Sequence, residues 1–157
     1  MSISQSNPGS PVLEKVRYFC SYRERCTAEV EEKLKRLKIP KSEWNWFLDR
    51  LKQEGFLNDD RYTSSFVSEK IRLSGWGKNK VRYALRKNRI PENRIEHYLK
   101  AVNEEVYRAQ LEKTMKTYSQ AMDFPFSFED KQKLIRYATG KGYELEYILK
   151  ALKSFST

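Results

Sequence analysis

The sequence predicts an all-α protein built from three tandem three-helix repeats that stack into an elongated, curved, solenoid-like body. Apolar residues recur at spacings of three and four, the period of a helix with one buried face. Segments beginning at Glu29, Lys80 and Lys133 keep their apolar positions when the first is shifted by 51 residues and the second by 53. The chain has no alternating apolar run and no Asn-Gly or Asp-Gly turn, so we expect no sheet.

The first repeat is predicted at residues 12–57, after a short disordered tail at residues 1–11. The tail lacks the basic and apolar parts of a secretory signal. The first helix spans roughly residues 12–25. The last helix of the repeat begins at Pro40, because proline suits the first helical position, where a missing N–H costs nothing. Gly55 marks the end of that helix.

The second repeat is predicted at residues 58–102 and opens with a helix over roughly residues 59–73, capped by Asn58 or Asp59. The third repeat, residues 103–157, also opens with a helix. It contains the longest irregular link, SQAMDFPFSF, whose three phenylalanines we expect to pack beneath a loop.

Positive charge is concentrated in the second repeat. The whole chain carries a formal net charge of +10, of which residues 58–102 contribute +6. The stretch KIRLSGWGKNKVRYALRKNRIP holds eight Lys or Arg residues and no acidic residue. Such a surface attracts nucleic acid, an acidic protein or a membrane face. No apolar run approaches the ~20 residues needed to span a bilayer, so no membrane partner is expected.

A helix over residues 78–89 places its cations on both edges of its apolar side. One side has Arg82, Arg86 and Arg89 with Lys78 close by, and the other edge has Lys80 and Lys87. Like charges four residues apart destabilise a helix, and a merely solvated face usually carries glutamates between them. The pattern therefore favours a surface for an anionic partner.

The sequence offers no catalytic layout, so we expect a protein that is not an enzyme and needs no metal or cofactor. It lacks a Gly-rich phosphate loop, a nucleophile elbow and a metal-spaced His/Cys/Asp cluster. Asp59 and Asp60 are explained by helix capping. Cys20 and Cys26 are predicted to be reduced, which indicates a cytoplasmic protein, and we expect a monomer.

Trp76 has two interpretations. It is either a hinge aromatic that packs back onto the protein or an exposed stacking platform, and packing is favoured because aromatic residues mostly contribute to cores. The basic helix has only two amide side chains, Asn79 and Asn88, so sequence-specific reading of bases is not expected.

The stretch GFLNDDRYTSSFVSEKIRLSGWGKNKVRYALRKNRI resembles the signature of the RecX family of regulatory proteins. The matching positions are Gly55, Leu57, Asp59, Arg61, Tyr62, Gly75, Gly77, Val81, Leu85 and Ile90. Cys26 stands where a capping serine is usual, and Asn88–Arg89 replace Lys-Gly. We expect Asn88 to supply the left-handed helix cap in place of the glycine.

The resemblance implies that the protein binds the RecA–DNA filament and inhibits RecA's ATP hydrolysis, coprotease activity and strand exchange. It would thereby modulate DNA repair and the SOS response. The side chains expected to face the filament groove are Lys70, Arg72, Lys78, Arg82, Arg86 and Arg89, with Lys80, Lys87 and Arg61 at the periphery. DNA phosphates would be a secondary contact. Two rivals remain: a nonspecific nucleic-acid-binding module that acts by competing for DNA, and an inert helical scaffold.

Overall fold

Within residues 3–155, nine amphipathic α-helices form where apolar residues recur at helical spacing. A computed structural model describes residues 3–155, and no strand occurs in that range. The helices are α1 (Pro11–Tyr22), α2 (Thr27–Arg36), α3 (Trp44–Gln53), α4 (Asp59–Arg72), α5 (Lys78–Lys87), α6 (Glu92–Lys100), α7 (Glu104–Tyr118), α8 (Phe128–Gly140) and α9 (Leu145–Ser154), with short 3-10 helices at Lys41–Glu43 and Ser119–Ala121. The all-α fold of three three-helix repeats is confirmed. None of the described helices is long and apolar enough to cross a membrane.

Polar side chains fix several helix starts, as the sequence chemistry requires. Ser10, Asn103 and Ser127 each accept a hydrogen bond from a backbone N–H in the first turn of α1, α7 and α8. Pro40 and Pro91 are cap residues and not the first helical residues as predicted. Pro91 directly precedes α6, whereas Pro40 precedes the 3-10 helix Lys41–Glu43, and α3 begins only at Trp44. Their extended backbone still directs the chain into the third helix of each repeat.

One left-handed turn recurs in all three repeats. Lys38, Arg89 and Gly142 have φ angles of 60°, 58° and 98°. They are separated by the same 51 and 53 residues that align the apolar positions, so the repeat extends to the backbone conformation. The prediction that Asn88 takes this conformation is wrong by one residue, because Arg89 occupies the place of the replaced glycine.

The helices form two compact units. The first unit is the chain up to Ser65 with Asn88–Ile90, and the second is Phe66–Lys87 with the chain from Pro91 onward. The first core contains Leu13, Val16, Cys20, Val30, Leu34, Ile39, Phe47, Leu48, Leu51 and Leu57. Buried residues of the second unit include Val81, Leu85, Ile95, Leu99, Tyr107, Leu111, Met115, Leu134, Tyr143 and Ile148. The division into three domains at residues 57/58 and 102/103 stays a prediction.

The N-terminal segment, predicted to be disordered, makes specific contacts over its described part. Glu43 Oε1 accepts hydrogen bonds from the Ser4 and Ser6 hydroxyls and from the backbone N–H groups of Gln5 and Ser6. These contacts lower the pKa of Glu43, chiefly through the hydroxyl of Ser4. The prediction for residues 1–2 lies outside the described residues.

The irregular link before α8 also differs from the expectation of phenylalanines packed beneath a loop. Phe124 and Phe128 are 63% and 77% exposed. Phe126 is half-buried and meets the Phe124 and Phe155 rings edge-on. Only one of the three phenylalanines therefore packs inward.

Candidate partner-binding site

The basic helix α5 takes its N-terminal anchor from distant parts of the chain. The first N–H groups of a helix have no partner within the helix. Here they are bound by groups of α7 and of the turn between α8 and α9. Gly77 N donates to Lys141 O at 2.7 Å, Lys78 N to Tyr107 Oη at 3.0 Å, and Asn79 N to Gly142 O at 2.9 Å. The third repeat therefore sets where α5 begins.

Two glycines allow this close approach. A Cβ atom on Gly77 would lie 2.2 Å from the carbonyl carbon of Gly142, and one on Gly142 would lie 2.4 Å from Lys80 Cβ. Gly75 has a different requirement, because its φ of +67° is left-handed. Its carbonyl oxygen accepts a hydrogen bond from the Tyr143 hydroxyl at 3.0 Å. These constraints account for the Gly-x-Gly pattern.

Tyr107 lies beneath the start of α5 and is fully buried. Its hydroxyl donates to Glu144 and accepts from the Lys78 backbone N–H. Burial raises the pKa of Tyr107, and the Glu144 carboxylate raises it further. The neighbouring Tyr143 has a pKa raised to about 12, mainly by burial. Both hydroxyls thus remain protonated and serve as fixed structural donors.

The arginines of α5 have carboxylate partners, although the basic stretch itself contains none. Arg82 Nε lies 2.7 Å from Glu96 Oε1 and Arg82 Nη2 lies 3.3 Å from Glu96 Oε2, a two-point ion pair. Arg86 pairs in the same way with Glu92. Each hydrogen-bonded pair raises the pKa of its arginine and lowers that of its glutamate. The carboxylates come from α6.

Two further arginines of the predicted surface are paired within the first unit. Arg89 Nη2 lies 2.7 Å from Glu31 Oε2 on α2. Arg61 Nε lies 2.5 Å from Glu24 Oε1, and Arg61 Nη2 donates to the carbonyl oxygen of Gly55. The carboxylates that the basic stretch lacks are thus supplied by α2, α6 and the α1–α2 loop. That these arginines contact a partner stays a prediction.

Among residues 3–155, the other five cations of the predicted surface form no ion pair. They are Lys70, Arg72, Lys78, Lys80 and Lys87. Three of these lysines lie over aromatic rings instead. Lys70 Nζ and Lys80 Nζ are 4.8 Å and 4.4 Å from the centre of the Trp76 ring, and Lys78 Nζ is 4.9 Å from that of Tyr107. Arg72 and Lys87 are exposed.

The motif residues Asp59 and Tyr62 join helices within the first unit. Asp59 caps α2, because its carboxylate accepts from Thr27 N at 2.7 Å and from Thr27 Oγ1 at 2.8 Å. Asn58 caps α4 by accepting from Arg61 N at 2.9 Å. The buried Tyr62 hydroxyl accepts from the Asn88 side chain, which explains an amide at that position. Leu57 is also buried.

The two cysteines lie in the interior of the first unit. Cys20 and Cys26 are buried, unbridged thiols, and burial raises the pKa of each to about 11. Cys26 also forms the start of α2, where its N–H donates to Glu29 Oε1 at 3.2 Å. Over the described range, no group of three or more His, Cys, Asp or Glu side chains is arranged to hold a metal ion.

Sequence reasoning missed the roles of Tyr107 and Gly142 and the acidic partners of the arginines. Glu92 and Glu96 lie only one helix beyond α5, at a spacing that places both on one face of α6. That spacing is the one signal in the sequence that pointed to the ion pairs.

Comparison with known proteins identifies related sequences. The family model described as "RecX, second three-helix domain" matches residues 58–99. The regulatory protein RecX of Pseudomonas fluorescens strain SBW25 is 31% identical over 105 residues, covering 67% of this chain and 66% of the relative. That of Clostridium botulinum strain Eklund 17B is 27% identical over 110 residues, covering 68% of this chain and 50% of the relative. The chain thus spans about half the length of the first curated relatives it matches.

Solved structures share the fold. A crystal structure of regulatory protein RecX matches with a TM-score of 0.80 at 22% identity, covering 90% of this chain and 71% of that one. The crystal structure of RecX from Lactobacillus salivarius matches with a TM-score of 0.79 at 19% identity, covering 92% and 94%. At these identities the likeness supports the helical architecture alone.

Proposed function

Because this chain belongs to the RecX family, we propose that it is a regulatory protein that binds the RecA–DNA filament and inhibits the RecA recombinase. Inhibition would extend to ATP hydrolysis and coprotease activity, and so to DNA repair and the SOS response. The proposal has the protein act as a monomer in the cytoplasm, without enzymatic activity of its own.

The observation that carries this proposal is the set of five unpaired cations in a chain of this family. Lys70 and Arg72 lie on α4, and Lys78, Lys80 and Lys87 lie on α5. Cations that form no ion pair keep more of their attraction for an anionic surface than a paired arginine, which must first give up its partner. We therefore narrow the proposed contact surface to these five residues.

The test is the single-strand-DNA-dependent ATP hydrolysis of RecA with this protein added below one copy per RecA monomer. We expect strong inhibition that persists when excess single-stranded DNA is present. A nonspecific DNA-binding module predicts inhibition that disappears with the extra DNA, since it acts only by competition. An absence of inhibition under both conditions contradicts the proposed function.

A nucleic-acid-binding module is a second candidate, and the lysines around Trp76 favour it. Such a module predicts tight binding to naked DNA with a steep loss of affinity up to about 200 mM salt. Filament-directed inhibition instead predicts that the protein binds RecA on DNA more tightly than it binds either component alone.

A further inference from the structure

We propose that Trp76, with Lys70 and Lys80, forms a binding site for single-stranded DNA in which a base stacks on the indole and the two ammonium groups hold the adjoining phosphates. This inference rests on the proposed function, since the DNA of the inhibited filament is the ligand. It assigns to these three residues a contact made separately from any contact with RecA.

In this cluster two lysine ammonium groups lie within 5 Å of the centre of one indole ring. Lys70 on α4 and Lys80 on α5 approach the indole from different helices. The Phe66 ring meets the indole at 78° with its centre 6.2 Å away, which fixes the orientation of the ring. The backbone is held as well, because Trp76 N donates to Lys70 O at 2.8 Å. Trp76 is half-buried and therefore partly available to a ligand.

The two positive charges of the cluster favour the binding of an anion. Two ammonium groups near one ring repel each other, and among residues 3–155 neither forms an ion pair. Glu69 is adjacent to Lys70 in sequence but does not pair with it. A contact between a cation and a partly exposed ring is weak, so the lysines can turn toward a phosphate and leave the indole face open.

The Trp76 ring is the reason that we propose single-stranded nucleic acid as the ligand and not an acidic peptide. An acidic peptide needs only cations, and it is best bound by the forked side chains of arginines, which are already paired with Glu92 and Glu96 here. An aromatic face beside lysines is the arrangement that proteins use for unpaired bases. Duplex DNA hides its base faces, so we expect it to bind more weakly than single strands.

The test is binding of the full chain alone to a fluorescently labelled oligothymidine of about 20 nucleotides, longer than common site sizes. Anisotropy is read at low salt, and quenching of tryptophan emission provides a second signal. Lys70→Gln with Lys80→Gln should weaken binding about tenfold and reduce the salt slope by about 1.4, the value for two lost phosphate contacts. Trp76→Leu should weaken it about tenfold, while Trp76→Phe retains most affinity because phenylalanine still stacks.

The matched control is Lys131→Gln with Lys133→Gln, which removes the same charge from exposed positions on α8. Equal loss in this control and in the Lys70/Lys80 variant overturns the site, because total charge alone then explains binding. Unchanged affinity in Trp76→Leu, or a preference for poly-glutamate over the oligonucleotide, also overturns it. RecA is absent from these experiments, so their failure leaves the inhibition assay to judge the proposed function separately.

Discussion

At the scale of single residues, Gly77 and Gly140 provide a matched test of the close contact below α5. Gly77→Ala would place its Cβ 2.2 Å from the Gly142 backbone, whereas nothing lies within 4 Å of a Cβ on Gly140. We expect Gly77→Ala to lower the free energy of unfolding by about 2–3 kcal/mol. Gly140→Ala should leave it unchanged or raise it by about 0.5 kcal/mol, since alanine favours a helix. Urea unfolding followed by circular dichroism measures both, and equal effects would contradict the contact.

The left-handed turn of the first repeat allows a second test. Lys38 has a φ of 60°, a conformation that costs a side-chain-bearing residue about 1 kcal/mol. Lys38→Gly should therefore raise the free energy of unfolding by about 0.5 kcal/mol, after the added freedom of the unfolded chain is subtracted. Lys35→Gly, inside α2, should lower it by about 1 kcal/mol. Thermal unfolding of the two variants should give shifts of opposite sign, and shifts of the same sign would contradict the turn.

At the scale of helices, two ion pairs join α5 to α6, and they differ in solvent exposure. The side chains of Arg82 and Glu96 are 23% and 32% exposed, against 56% and 54% for Arg86 and Glu92. Double-mutant cycles with glutamine should give a coupling of about 1 kcal/mol for Arg82 and Glu96. The coupling of the exposed pair should be smaller and should decrease more steeply with salt. A larger coupling for the exposed pair would contradict this ranking.

The ion pairs of Glu54, the residue that follows α3, predict a loss of stability in acid. Arg17 and Arg50 both bind Glu54, and the hydrogen bond from Arg17 is the main cause that lowers its pKa from the usual 4.5 to about 2. A carboxylate with a lowered pKa stabilises the fold above pH 4.5 and loses that contribution as the pH falls toward 2. Glu54→Gln should flatten the pH dependence of unfolding in this window. Glu32→Gln, which removes an exposed glutamate on α2, should leave the dependence as steep as before.

The helices and their buried faces could be predicted because the spacing of apolar residues is a local property of the sequence. Val81 and Leu85, for example, are buried as the spacing predicts. The ion pair of Arg89 with Glu31 could not be predicted, because it depends on how the turn after α5 lies against α2. The left-handed conformation of Arg89 could have been predicted, because the repeat aligns Arg89 with Gly142.

At the scale of the whole molecule, the distribution of unpaired charge predicts which variants lose activity. Arg72→Glu with Lys87→Glu should weaken the proposed inhibition of RecA's ATP hydrolysis about tenfold, because both side chains are exposed and unpaired within the described chain. Lys131→Glu with Lys133→Glu makes the same change in net charge and should retain inhibition. Circular dichroism should show equal helicity in both variants. A charge reversal at Arg82 would instead place a carboxylate beside that of Glu96. Such a variant would test folding and not partner binding.

The net charge could be predicted from composition, but the positions of the unpaired cations could not. Residues 58–102 carry most of the excess, as the sequence predicts. Four arginines of the predicted contact surface are paired with glutamates. The unpaired cations of that surface are its four lysines and Arg72. The candidate surface is therefore nearer to the loop that contains Trp76 than the sequence alone indicates.

The anchoring of α5 by the third repeat has a consequence for the order of events during synthesis. Residues 77–79 leave the ribosome well before Tyr107, Lys141 and Gly142, which bind their backbone N–H groups in the folded chain. In the nascent protein the start of the basic helix must remain solvated until those later residues have emerged. The surface proposed for an anionic partner thus reaches its final form only when the third repeat has been translated, so an incomplete chain does not present it.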